Sequence, residues 1–158
     1  MATTTEVLLN MKAHPGVSYP VLVPNVKGLE NLLQLHHPST PSQPIVSEIA
    51  IFTAASDTFN KANTNKTVAE SLIELEKVVL LAKEKGLKVR GYVSTVITCP
   101  FEGNMDPKRV VQVGRELLQM GCYEVSLGDT VGTGTERTVR ALMDEVQKGL
   151  PIPKVAVS

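Results

Sequence analysis

The chain has 158 residues, with 16 basic and 16 acidic side chains and no formal net charge; 42% is hydrophobic and 20% charged. That is enough for one ordinary domain with a core, and a balanced charge without basic or acidic runs gives no electrostatic case for nucleic acid or an anionic membrane surface. The longest apolar runs, such as VVLLA at 78–82, fall far short of the ~20 residues of a membrane span. MATTTEVLLNMK at the start has neither a signal-peptide core nor an Arg-rich amphipathic stretch. Two cysteines with no Cys-x-x-Cys pair fit a reduced, intracellular setting.

In chain order, YPVLVPN at 19–25 reads as a short strand and VKGLENLLQL at 26–35 as a helix. HHPSTPSQP at 36–44 is a loop, and SEIAIFTAAS at 47–56 is the second strand and its exit. A helix runs from about Thr67 to Lys85. Thr67 and Glu70 fit a capping box, Val68, Leu72, Leu75, Val79 and Ala82 form its apolar stripe, and Gly86 stops it. LKVRGYVS at 87–94 is the third strand. Asp106 and Pro107 open the next helix as N-cap and first residue; Val110, Val113, Leu117 and Met120 are its stripe and Gly121 its end. YEVSLG, starting at Tyr123, is the fourth strand. The last helix carries Val139, Leu142, Met143, Val146 and Leu150 on one side, and KVAVS at 154–158 begins a fifth strand.

Strands alternating with helices every ~30 to 40 residues imply a parallel sheet with crossover helices. The strand cores look apolar without strict alternation, which predicts cover on both faces. An open doubly wound sheet and part of an eight-stranded barrel both fit. Polar residues gather where strands end: Asn25 after the first, Thr53 and Ser56 after the second, Tyr92 and Ser94 on the third, Ser126, Asp129 and Thr130 on the fourth. Active sites of both architectures lie at such ends. A site spread over four strand ends favours the barrel.

Simpler readings compete. Asp129, followed by Thr130 and glycines, also fits a turn or helix cap. Gly-Thr-Gly at 132–134 suggests a phosphate loop but lacks the full Gly-x-Gly-x-x-Gly pattern and the Walker lysine. His36 and His37 are neighbours in a loop and His14 stands alone before Pro15. Cys122 reads as core, whereas Cys99, in a loop before a proline, is a candidate reactive thiol without a partner histidine.

Four segments, YPVLVPNVKG, IFTAASDTFNKANTNKTVAES, VRGYVSTVITCPFEG and MGCYEVSLGDTVGTGT, closely resemble consecutive segments of the 3-hydroxy-3-methylglutaryl-CoA (HMG-CoA) lyases. The likeness runs from about Glu6 to Val157, interrupted at 37–46. It implies an α/β fold, a partial (βα)8 TIM barrel of about five consecutive βα units, with residues 1–158 as a single incomplete domain. It implies a carbon–carbon lyase that cleaves HMG-CoA to acetyl-CoA and acetoacetate, in leucine degradation and ketone-body formation. Asp129 then matches a catalytic aspartate, flanked by Ser126 and Thr130. Tyr92 would line the acyl pocket, and Asn63 and Asn25 would lie near the substrate. The implied cofactor is a divalent metal, Mg²⁺ or Mn²⁺. The family's metal-binding Arg-Asp and His-x-His motifs and its catalytic cysteine, in a Gly-Gly-Cys-Pro context, have no counterpart in these residues, so no metal ligand is assigned and Cys99 is not that cysteine. The fragment alone is expected to be inactive and marginally stable.

The implied partner is the acyl-CoA substrate; assembly into a homo-oligomer stays open. The family's usual compartment, the mitochondrial matrix, is the expected one, with no targeting signal to read. Two alternatives stand beside the lyase. One is a related acetyl-CoA-dependent synthase barrel of the isopropylmalate or homocitrate type. The other is a non-catalytic fragment that binds a partner subunit.

Overall fold

A computed structural model describes residues 4–12, 14–35 and 46–158, apart from the side chain of Leu9. The loop read at 36–44, with His36 and His37, lies outside the described residues. Within them the chain forms α1 (Thr4–Asn10), β1 (Val21–Leu22), α2 (Val26–Gln34), β2 (Glu48–Ala54), α3 (Asp57–Thr64), α4 (Val68–Glu84), β3 (Lys88–Ser94), β4 (Thr98–Cys99), β5 (Gly103–Asn104), α5 (Pro107–Met120), β6 (Glu124–Leu127), α6 (Glu136–Gly149) and β7 (Val155–Val157), the last preceded by a 3₁₀ turn at Ile152–Lys154.

Five strands make one sheet in the order β1-β2-β3-β6-β7, every neighbouring pair parallel. This order decides between the two architectures. A doubly wound sheet reverses its strand order at a switch point and so carries helices on both faces. A sheet whose strands follow chain order, joined by crossovers of one hand, keeps its helices on one face and curves toward a barrel. The fold is therefore α/β, a partial (βα)8 barrel of about five units.

The two faces of the sheet follow from residue parity. Ile51, Gly91 and Val125 are in register on adjacent strands. They belong to the face that α4, α5 and α6 cover with Leu75, Val79, Leu117 and Val146, all nearly fully buried. Gly91 shows how tightly α5 packs: a Cβ there would stand 3.1 Å from Leu117 Cδ1 and 3.3 Å from Cys122 Sγ. The other face carries Phe52, Tyr92, Ser126 and Ala156 in register. Here the sequence reading needs correcting. β3 does alternate, its Lys88, Arg90, Tyr92 and Ser94 being exposed or half-buried while Val89, Gly91 and Val93 are buried, because helices cover only one face.

The caps hold as read. Thr67 and Glu70 form the capping box of α4, and the Asp106 side chain accepts from Lys108 N–H at the start of α5. Val139 departs from its expected stripe. It is 37% exposed, in a first turn of α6 that is exposed throughout, and its contact there is with the loop after β6, where a Cβ on Gly134 would touch Val139 Cγ2 at 3.3 Å. β1 is a two-residue ladder, shorter than the run 19–25, extended by Val23 N–H donating to Ala50 O. α1, α3 and the β4–β5 hairpin are additions to the sequence reading.

Candidate functional site

The exit of β6 is built by its own backbone. Asp129 follows the strand, half-buried, and its carboxylate turns onto the next loop: Oδ2 accepts Gly134 N–H at 2.7 Å and Oδ1 accepts Gly132 N–H at 3.2 Å. Its own N–H donates to Ser158 O. The turn reading of Asp129 is therefore correct as local structure, and it leaves the carboxylate at the strand end. Ser126, 1% exposed on the open face, lies 3.3 Å from Ser158 Oγ.

Thr130 joins this exit to that of β3. Its Oγ1 accepts Thr95 N–H at 2.8 Å, and Thr133 Oγ1 donates to Thr98 Oγ1 at the same distance. Thr95 is fully buried with φ +58°, a left-handed conformation that a β-branched residue rarely adopts.

Tyr92 stands beside Ser126 in register. Arg90, two residues earlier on the same face, donates from Nη1 to the phenol oxygen at 2.6 Å, and its Cζ lies 5.0 Å from the ring centroid. Glu124, opposite Arg90 on β6, takes the Nε and Nη2 donors at 2.6 Å. Burial works against the Arg90 charge, but Glu124 and Tyr92 outweigh it and raise its pKa. With Arg90 donating into the phenol oxygen, Tyr92 has its own O–H to offer a ligand.

The remaining candidates are engaged locally. Asn25 caps α2, its Oδ1 accepting Gly28 N–H at 2.9 Å, and is exposed. Asn63, also exposed, donates to Phe59 O one turn back in α3. The buried asparagine of that helix is Asn60, which holds the Lys66 and Thr67 carbonyls.

Beside the site, the hairpin is stitched to α3. Glu102 Oε1 accepts Ser56 Oγ–H at 2.8 Å and Thr58 N–H at 2.7 Å; the Thr58 N–H holds the Glu102 carboxyl below the usual range. Cys99, read as a loop cysteine and a candidate reactive thiol without a partner histidine, is 1% exposed and lies on β4 with its Sγ 3.0 Å from Ser56 Oγ. Closed off under the hairpin, it lacks the access a reactive thiol needs. Cys122 is core as expected, and burial pushes its thiol up to about 12. Among the described residues no three His, Cys, Asp or Glu side chains converge as a metal site, and no helix is long and apolar enough to cross a membrane.

Sequence reasoning missed Arg90, Glu124, Glu102 and Thr95. An i, i+2 pairing of Arg90 with Tyr92 was available as a signal once β3 was read as alternating. The other three depend on contacts between distant segments.

Residues 35–158 match the HMGL-like family model. The chain belongs to the HMGL-like family. It is 41% identical over 157 residues to the cytoplasmic 3-hydroxy-3-methylglutaryl-CoA lyase of Rattus norvegicus, which covers 99% of this chain and 43% of that protein. It is also 41% identical to the mitochondrial hydroxymethylglutaryl-CoA lyase of Bos taurus, covering 46% of that one. The solved HMG-CoA lyase of Brucella melitensis superposes with a TM-score of 0.89 at 43% identity, over 98% of this chain and 51% of the other. The HMG-CoA lyase of Pseudomonas aeruginosa gives 0.87 at 41%, over 97% and 48%. This HMGL-like chain thus spans about half the length of the relatives it matches. A further solved lyase, at 25% identity and a TM-score of 0.83 over 97% of this chain and 47% of the other, was determined with coenzyme A and 3-methylmalate.

Proposed function

We propose that residues 1–158 form one incomplete barrel domain that supplies part of an HMG-CoA lyase active site, cleaving HMG-CoA to acetyl-CoA and acetoacetate. The observation that carries this reading is the half-buried Asp129 carboxylate at the end of β6, with Ser126 and Tyr92 on the adjoining open face, in an HMGL-like chain.

The chemistry is a retro-Claisen cleavage. Asp129 takes the proton of the tertiary hydroxyl. The hydroxyl oxygen becomes the ketone of acetoacetate as the bond to the CoA-bearing methylene breaks, and that electron pair becomes the acetyl-CoA enolate, which then takes a proton on carbon. A positioned base of this kind is worth ~10²–10⁴-fold. Tyr92, its phenol oxygen filled by Arg90, directs its O–H at a substrate oxygen as charge develops there. Ser126, buried on the same face with its Oγ 3.3 Å from Ser158 Oγ, would offer a second hydroxyl only by parting from Ser158. Thr130 acts through the Thr95 N–H rather than by contact with substrate, and Asn25 and Asn63 would take part only by leaving their present partners. Cys99, enclosed beneath the hairpin, is unsuited to protonating the enolate.

The divalent metal implied by the family, Mg²⁺ or Mn²⁺, would polarise substrate oxygens. The described residues do not make a ligand set for it. Acetyl-CoA and acetoacetate place the reaction in leucine degradation and ketone-body formation. The relatives are named both mitochondrial and cytoplasmic; we favour the mitochondrial matrix, which fluorescent tagging of the native protein would test. Assembly with a second copy is the remaining partner, read by sedimentation.

The deciding test replaces the matching stretch of the Pseudomonas aeruginosa lyase with this chain. The graft is expected to release acetoacetate from HMG-CoA, and Asp129→Asn in it to lower kcat by ~10²–10⁴-fold. A folded graft that releases none overturns the reading.

A further inference from the structure

The Gly-Thr-Gly of residues 132–134 is not a phosphate loop in this fold, since its two glycine N–H groups are already spent. Both point at Asp129: Gly134 N–H donates to Oδ2 at 2.7 Å, and Gly132 N–H is shared between Oδ1 at 3.2 Å and the Asp129 carbonyl at 3.0 Å. The loop that carries them is fixed from outside at two points, Thr130 accepting Thr95 N–H and Thr133 donating to Thr98. The donors therefore stand on an anchored frame.

Gly134 has no left-handed backbone to explain its lack of a side chain, whereas Gly132 has φ +70°. What a Cβ at 134 would meet is the carboxylate itself, Asp129 Oδ2 at 2.9 Å, with Val139 Cγ2 next at 3.3 Å. Real Cβ atoms do not sit that close to an oxygen, and the yielding partner is the free end of the Asp129 side chain. An added methyl group would turn the carboxylate away and leave the backbone where it is.

We infer that the 132–134 turn is a carboxylate clip and that Gly134 is a positioning residue for Asp129, fixing the direction from which that carboxylate meets the substrate. Each oxygen accepts one N–H and keeps a further lone pair outward, which is what a base held in one rotamer requires. This rests on the proposal that Asp129 is the base. Displacing a reacting group by about 1 Å costs on the order of 10²-fold.

The test is Gly134→Ala in the graft. The expected result is a native melting temperature, a KM for HMG-CoA within about threefold, and a kcat ~10–100-fold lower. Adding Val139→Ala relieves the helix contact alone and should not restore kcat; restoration would show that packing against α6 was at fault and overturn the inference. So would a Gly134→Ala graft with unchanged kcat, which leaves the lyase reading standing. Should the unsubstituted graft fold without cleaving HMG-CoA, the lyase reading fails and amide exchange decides the clip. A Gly134 N–H that is protected in the graft and loses protection in Asp129→Ala supports it, and one equally fast in both refutes it.

Discussion

The helix-covered face and the open face of the sheet are made from the same strands, residue by alternate residue, yet they are held by different forces. On the covered face, Ile51, Gly91 and Val125 meet Leu117, Val79 and Val146 with almost no exposed area. Burying such a side chain is worth ~1.5–3 kcal/mol and needs no particular orientation. On the open face Arg90, Tyr92, Glu124 and Ser126 are held by directed hydrogen bonds, which contribute only ~0.5–1.5 kcal/mol each but fix where each polar atom points. One face makes the fold stable, and the other faces whatever enters the barrel.

Three substitutions in the graft can break that division. Leu117→Ala, on the covered face against Gly91, is expected to cost ~2–5 kcal/mol in a denaturant melt; if KM for HMG-CoA changes as much as stability does, the faces are not separable. Tyr92→Phe should do the reverse, lowering kcat/KM by ~10-fold (about 1.4 kcal/mol) while moving the melt by less than that. Arg90→Met tests what aims the phenol. The pair with Glu124 is only about a quarter exposed, so removing Arg90 leaves a largely buried carboxylate without its partner and should cost more than the ~0–1 kcal/mol of a surface pair; in a Tyr92→Phe background it should not lower kcat further. A larger additional loss of kcat would give Arg90 a role of its own.

The smallest effect concerns pH. Glu102 has its pKa held below the ordinary 4.5, first by the Thr58 N–H. A depressed carboxyl stabilises the fold above its unfolded pKa, and that stability is lost as pH falls through the folded value. Glu102→Gln should therefore lower the melting temperature slightly at pH 7, where that contribution is fully present, and give a shallower fall below about pH 4.5, so that the two proteins converge in acid.

The covered face was legible in the sequence because its signals are local. The caps at Thr67 and Asp106 and the stripes of α4 and α5 lie within one helix each. α3 was not legible: DTFNKANT is short and polar, and it is fixed by Ser56, Glu102 and the Asn60 contacts to the next loop. The hairpin, too, depends on a segment more than 40 residues away, through Ser56 and Cys99. At the site, Asp129, Ser126 and Tyr92 could be singled out from strand ends and from family resemblance. Arg90 and Glu124 could not, because parity was read as absent in β3. Asn25 was picked from its strand end and Asn63 from the family resemblance, and neither signal reveals that both side chains already bond to their own helices.

Thr95 ties two of these loops into one mechanical part. Its left-handed backbone is buried and its N–H donates to the Thr130 hydroxyl, so relaxing the exit of β3 toward an easier conformation would pull on the residue next to Asp129. With Thr133 also bonded to Thr98, the exit of β3 and the carboxylate loop are linked at two points, so a ligand that tightens one is expected to steady the other.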